Sequence, residues 1–301
     1  MKVLLFSSVC KPEAVYTPAL NSYMQLQCTG FEIDYCFKND NNSGVSEFEG
    51  FIEKLKTQYT DRNIFSLETL NNEKKSSYGN HIWDREKINR VIDIKNNAID
   101  FAIHHDYDYL FLVDADLVLH PNTMNHLVSL KKDFVFEVFW TQFFSEPYHK
   151  PNAWDVHSWS YLGPETLLKL SKPGTYIVGG GGACTLLSKK ILTEGLNFSR
   201  LASLSYQGED RHFCTRAQAL GYDIWVDTYY PCYHIFAEKQ VDEATAWFSN
   251  GALPEFFSKW LDLEWEEKVK KSFINNPSFI FKLRRFQYEI RRSYKKIFKN
   301  G

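Results

Sequence analysis

The run Tyr109–Val113, YLFLV, is apolar at every position and ends directly in Asp114-Ala115-Asp116. An unbroken apolar run of this length predicts a strand covered on both faces, and therefore a mostly parallel sheet flanked by helices. In open sheets of that kind ligands bind beyond the carboxyl ends of the strands, where these two acids stand. Side by side they repel and desolvate each other unless a cation accompanies them, and carboxylates suit Mg²⁺ and Mn²⁺. The pattern points to a metal-assisted enzyme.

The chain's 301 residues are enough for one large α/β domain with an appendage. A net charge of −2 with 24% charged residues argues against a surface built for nucleic acid, so no nucleic-acid partner is expected. The charge is uneven: residues 279–301 carry eight Lys or Arg and one Glu. Six scattered cysteines include no C-x-x-C pair, which signals neither structural zinc nor a disulfide framework and fits a reducing cytoplasm. The opening MKVLLFSSVC reads as a first strand, because its apolar stretch is short and Lys11-Pro12-Glu13 follows where a leader would place small residues. No apolar run approaches the ~18 residues of a membrane span.

Along the chain, Val3–Phe6 and Phe31–Phe37 read as strands, with helices expected over Pro18–Gln27 and Phe48–Thr57 and a polar loop, KNDNNSG, at 38–44. Apolar residues Ile88, Val91, Ile92, Ile99 and Ala102 predict a helix over Arg85–His104 that feeds the acidic strand. This alternation is that of a doubly wound sheet. A helix over Asn122–Leu130 and a strand over Phe134–Trp140 follow, then an aperiodic, aromatic-rich and proline-rich stretch, 141–174, expected as pocket-forming loop. Tyr176–Val178 leads into Gly179–Gly182, with a helix near Ser188–Glu194. Gly208-Glu209-Asp210 opens an amphipathic helix that Gly221 stops. A strand over 222–226 and the segment YYPCYHIF complete residues 1–236, and 237–301 is expected as a helical extension.

Each acidic or glycine-rich element has a structural reading beside its chemical one. The Asp pair can cap a turn, Glu209 and Asp210 can serve a helix dipole, His234 can be a satisfied polar residue, and four glycines can be a turn. There is no G-x-x-x-x-G-K-[ST] phosphate loop.

Their order is more telling. FLVDADLVLHP, YIVGGGGACTLLSKK, SYQGEDRHFCTRAQALGYDIWVD and YHIF together resemble the nucleotide-sugar glycosyltransferases of the A-type (GT-A) fold, close to family 2, over residues 1–236. The resemblance implies an α/β, Rossmann-like mixed sheet and a metal site of Asp114, Asp116 and His234, in which Asp116 binds the ion and Asp114 supports it, through the donor ribose. It implies Asp210 as catalytic base, with Glu209 beside it on acceptor or sugar hydroxyls, and places Gly180 and Gly181 near the donor sugar. Asp40 is the candidate at the nucleotide end. Of the basic residues on the preceding helix, Arg90 and Lys95, the latter fits the diphosphate better.

The implied reaction is Mn²⁺- or Mg²⁺-dependent transfer from a nucleoside diphosphate sugar, with uridine diphosphate the default, to a carbohydrate, lipid-linked or protein acceptor, in cell-surface glycan or glycoconjugate synthesis. Displacement leaves negative charge on the diphosphate, which a metal neutralises, while a carboxylate takes the acceptor's proton. One base suffices for inversion, whereas a retaining route would need a nucleophile. Trp140, Trp154, Trp159 and Tyr161 can stack on sugars or fill core. In the tail, Phe279, Leu283, Phe286, Ile290, Tyr294 and Ile297 form one apolar helix face among cations, suited to an anionic membrane or to packing on the catalytic domain or a second subunit. A cytoplasmic protein held peripherally at the inner face of the plasma membrane is the expectation. Two alternatives stand beside it. Asp114-Ala115-Asp116-Leu117-Val118 also satisfies the nucleophile pattern of haloacid dehalogenase-type phosphatases, and an inactive carbohydrate-binding or membrane-associated scaffold would share the fold.

Overall fold

The computed structural model describes residues 1–40, 45–66, 85–143, 146–155, 163–204 and 208–274. Trp159, Tyr161 and the basic tail lie outside the described residues.

Strands β1 (Lys2–Val9), β2 (Glu32–Asn39), β3 (Asn63–Ser66) and β4 (Tyr109–Val113) run parallel in the order β3-β2-β1-β4. They are joined by α1 (Glu13–Met24), α2 (Val45–Gln58) and α3 (Arg85–His104). The first strand is thus central in the sheet. Side chains alternate across these strands as the pleat requires. Leu4, Phe6, Leu110 and Leu112 face one buried cluster with Ile88, Ile92 and Ile99 of α3. Val3, Leu5, Phe111 and Val113 face another with Tyr16, Leu20 and Tyr23 of α1. Apolar residues on both faces are what made YLFLV read as continuous.

β5 (Leu117–Val118) and α4 (Thr123–Ser129) precede β6 (Phe134–Thr141). The stretch expected as loop after it contains β7 (Lys150–Pro151), β8 (Ala153–Trp154) and α5 (Pro164–Leu170), whose start has Pro164 just inside it, a position where the missing N–H loses no helix bond. Then come β9 (Thr175–Val178), β10 (Gly180–Gly181), β11 (Cys184–Ser188), α6 (Lys189–Thr193), α7 (Glu209–Ala219) and β12 (Ile224–His234). β11 lies antiparallel between β4 and β6, and β12 returns parallel to β6. The sheet is therefore mixed but mostly of one strand direction, with helices on both faces.

Two expectations shift, and one strand was not expected. α1 starts five residues before Pro18, which lies inside it, because Val15, Tyr16, Ala19, Leu20 and Tyr23 bury one face whatever bond the proline removes. β11 was hidden as a short buried strand without alternation. β12 continues well past 226, since a register shift between Asp227 and Cys232 accommodates Pro231.

After a 3₁₀ turn at Glu238–Gln240 come α8 (Val241–Ser249), a 3₁₀ segment at Pro254–Lys259, and α9 (Leu263–Ile274). Trp247, Phe257, Trp265 and Val269 pack into the same core as Trp140 and Tyr233. Trp140 is thereby a core residue, edge-on to Trp265. No helix among the described residues is long and apolar enough to cross a membrane.

Candidate active site

Because β1, β2, β4, β6 and β12 share one direction, their carboxyl ends lie along one edge of the sheet. That edge gathers Lys11, Asp40, the Asp114–Asp116 turn, Thr141 and His234, joined by Lys95 from α3 and by Glu209 and Asp210 from the first turn of α7. The turn itself is well held. Tyr23 Oη donates to the Asp114 carbonyl at 2.7 Å, and the Asp114 N–H donates to the Ala183 carbonyl at 2.9 Å. Ala183 adopts φ +72°, a left-handed conformation that is uncommon for a residue with a Cβ.

Asp116 anchors one charge cluster. Lys11 Nζ lies 2.6 Å from Asp116 Oδ2, and His234 Nε2 lies 3.5 Å from the same oxygen. Burial works against the charge of Asp116, yet the cation of Lys11 and the adjacent imidazole hold its carboxyl well below the usual carboxylate range. Burial likewise opposes the Lys11 ammonium, and Asp116 overcomes it, so the lysine stays above its ordinary value. Thr141 Oγ1 stands 2.6 Å from His234 Nδ1. With the proton on Nε2 the ring faces Asp116 with an N–H; with the proton on Nδ1 it donates to that hydroxyl, and the Nε2 lone pair is free for a cation.

Two electron-rich atoms 3.5 Å apart match the separation of two donors on one divalent cation. Asp116 and His234 therefore fit such an ion. Among the described residues no three His, Cys, Asp or Glu side chains converge into a complete protein cage. The remaining positions would fall to water and phosphate oxygens, as is usual for Mg²⁺. Asp114, expected as a further ligand, has Lys95 as its strongest charged neighbour. Burial raises its carboxyl above the ordinary value, Lys95 opposes, and Asp116 and Glu209 add to the rise.

Lys95 centres the other cluster. Its Nζ is 2.8 Å from Glu209 Oε1 and 3.3 Å from Asp210 Oδ1. Although burial opposes it, Lys95 holds Glu209 below its ordinary value, and three carboxylates (Asp210, Glu209 and Asp114) raise Lys95 well above its own. Asp210 behaves differently. Burial lifts it to about 7 against the pull of Lys95, with Glu209 and Asp114 contributing. Local backbone geometry permits this placement. Gly208 takes φ +107° as α7 begins, and a Cβ on Gly182 would sit 2.6 Å from Asp210 Oδ2.

The other expected residues have distinct surroundings. Lys95, predicted for the diphosphate, spends its bonds on the acids of α7. Asp40 pairs with Arg90, whose Nε donates to Oδ1 at 2.8 Å and whose terminal nitrogen adds a second bond. Burial lifts Asp40 above its ordinary value, and Arg90 opposes that rise. Gly180 and Gly181 form β10, paired with β8, with the rings of Trp154 and Phe136 against them. It is the next glycine, Gly182, that meets Asp210. Sequence reasoning missed Lys11 and Thr141. Each lies at or just beyond the carboxyl end of a strand parallel to β4, the one signal that could have flagged them.

No protein-family model matches the sequence, and no curated protein matches it. Solved structures do match. GalNAc-T7, crystallised with UDP, GalNAc and Mn²⁺, superposes with a TM-score of 0.51 at 12% identity, covering 77% of this chain and 43% of its own. Residues 1–349 of S. aureus TarS give a TM-score of 0.44 at 15% identity, over 91% of this chain and 79% of that one. The chain thus spans less than half the length of GalNAc-T7. The fold is the GT-A-type glycosyltransferase fold.

Proposed function

We propose that this chain is a metal-assisted, inverting glycosyltransferase that moves a sugar from a nucleoside diphosphate sugar, preferably a uridine diphosphate sugar, to an acceptor hydroxyl. One observation carries the reading: Asp116 stands beside His234 and a cation at one point of the sheet edge, while Asp210, raised by burial to about 7, stands in a separate cluster on the same edge. The UDP, GalNAc and Mn²⁺ bound to GalNAc-T7, a structure of the same fold, support the choice of donor and ion.

Asp116 and His234 would hold the Mn²⁺ or Mg²⁺ ion, with Thr141 fixing the imidazole. When bound, the ion neutralises charge growing on the departing diphosphate. Asp210 takes the proton of the acceptor hydroxyl, and a carboxyl titrating at about 7 is matched to that task at neutral pH. Glu209, kept ionised by Lys95, accepts hydrogen bonds from sugar or acceptor hydroxyls. Asp114 bears on the donor ribose, Asp40 on the nucleoside end, and the backbone at Gly180 and Gly181 on the donor sugar. The acceptor is a carbohydrate, a lipid-linked glycan or a protein, and the reaction serves glycan synthesis at the cytoplasmic side of a membrane.

A thermal-shift panel of nucleotide sugars with and without Mn²⁺, followed by donor hydrolysis, tests the reading. Stabilisation by at least one nucleotide sugar that requires Mn²⁺ is expected. Absence of any metal-dependent shift across uridine, guanosine and thymidine donors would sink it.

A further inference from the structure

The cation on Asp116 in this structure belongs to the protein. Lys11 follows the carboxyl end of β1, in the short turn before α1, and its ammonium contacts the same Oδ2 that His234 Nε2 approaches. A divalent ion bridging Asp116 and His234 would bind at or beside that oxygen. An ammonium and a dication compete for it: both draw on the same negative charge, and at such short range they repel each other. The Asp116 side chain is only 8% exposed, so a carboxylate there without any cation would be strongly disfavoured. The Lys11 side chain is 24% exposed and has a flexible four-carbon stem, so it can leave toward solvent.

We propose that Lys11 is a displaceable internal cation: it holds Asp116 until the divalent ion arrives, then transfers its charge to the donor's diphosphate. The inference rests on assigning Asp116 and His234 to the donor-diphosphate site. It gives Lys11 a positioning role that the nucleotide-binding acids and glycines do not cover. Metal binding to the bare protein must evict an ion pair, whereas binding with the donor present returns the lysine to an anionic partner. Metal and donor are therefore coupled through one side chain.

The test uses the full chain and Mn²⁺ alone, with free Mn²⁺ measured by electron paramagnetic resonance. Without nucleotide, Lys11→Met and Lys11→Gln should each bind Mn²⁺ about tenfold more tightly than the parent, because no ammonium competes. Asp116→Asn should lose this binding. A second arm titrates pyrophosphate, the part of the donor common to all candidates, into Mg²⁺-saturated protein by ³¹P resonance. Both Lys11 variants should bind it several-fold more weakly. Unchanged or weaker Mn²⁺ binding in both Lys11 variants, with Asp116→Asn abolishing it, overturns the role of Lys11 alone. Unchanged pyrophosphate affinity overturns the transfer to diphosphate. Mn²⁺ binding that survives Asp116→Asn overturns the assignment of the ion to Asp116, and this inference with it. Circular dichroism of each variant confirms that the fold being compared is intact.

Discussion

The site holds two lysine-centred clusters of acids, and they have opposite consequences. At the end of β4, the Lys11 ammonium and the His234 ring converge on one carboxylate and prevail over burial, so Asp116 stays charged. At the start of α7, one lysine faces Glu209 and Asp210 directly and Asp114 through its field, and it cannot satisfy all three. Glu209 takes the shorter bond and stays ionised, while burial leaves Asp210 near neutrality in its titration. The ratio of cations to carboxylates, more than the identity of the residues, separates an acid kept ionised from one raised toward neutral pH.

The comparison breaks most visibly when each acid loses its charge. Asp210→Asn should retain Mn²⁺-dependent donor binding and lower transfer by about a thousandfold, whereas Asp116→Asn should forfeit the metal-dependent binding itself. Calorimetry and initial rates on the two variants separate these outcomes; transfer retained in Asp210→Asn would remove it as base. The pH profile carries the same contrast. A base must be deprotonated to act, so with Asp210 raised to about 7, kcat/KM should fall about tenfold per pH unit below that value and level off above it.

Lys95→Met would sharpen the difference between clusters by leaving buried Glu209 unpaired. Urea unfolding should show a loss of about 3 kcal/mol, and because Lys95 normally opposes the rise of Asp210, the pH at which the rate levels should move upward. A variant with unchanged stability and profile would mean that the lysine does not balance these acids. Removing a support of the other cluster is expected to do less. Thr141→Val frees His234 Nδ1 and should weaken Mn²⁺ binding by about tenfold with little change in global stability, measured by titration and thermal melting. The smallest effect is predicted for the tail: liposome flotation with anionic vesicles should carry a larger fraction of the full chain than of a form ending at Pro277, with high salt reducing the difference.

Much of this arrangement was legible before the fold. YLFLV followed by two acids required a doubly covered strand, and both hydrophobic clusters bear out that reading. Periodicity marked α3 from Arg85 to His104, since an amphipathic helix repeats its pattern locally. β11 was not legible, because five buried residues without alternation carry no period, and neither was Pro231 inside β12, where only a register shift makes room for it. The buried Glu137 opposite Asp227 had no local signal either. Burial and the neighbouring carboxylate raise Glu137 well above its ordinary value, a consequence of strand register alone.

The residues at the site follow the same division. The sequence by itself determined that acids stand at the tip of an apolar strand, that Gly208-Glu209-Asp210 opens a helix, and that a histidine ends the segment after Cys232. These are one-dimensional facts, set by neighbours along the chain. Which acid meets which cation was decided only by tertiary structure. Lys11 and Asp116 are brought together because β1 and β4 are parallel neighbours, and Lys95 reaches Glu209 because α3 and α7 pack on one face of the sheet. Electrostatic energy depends on distances and burial in space, so the same carboxylate can be pinned as an ion or poised as a base without any change in the sequence beside it.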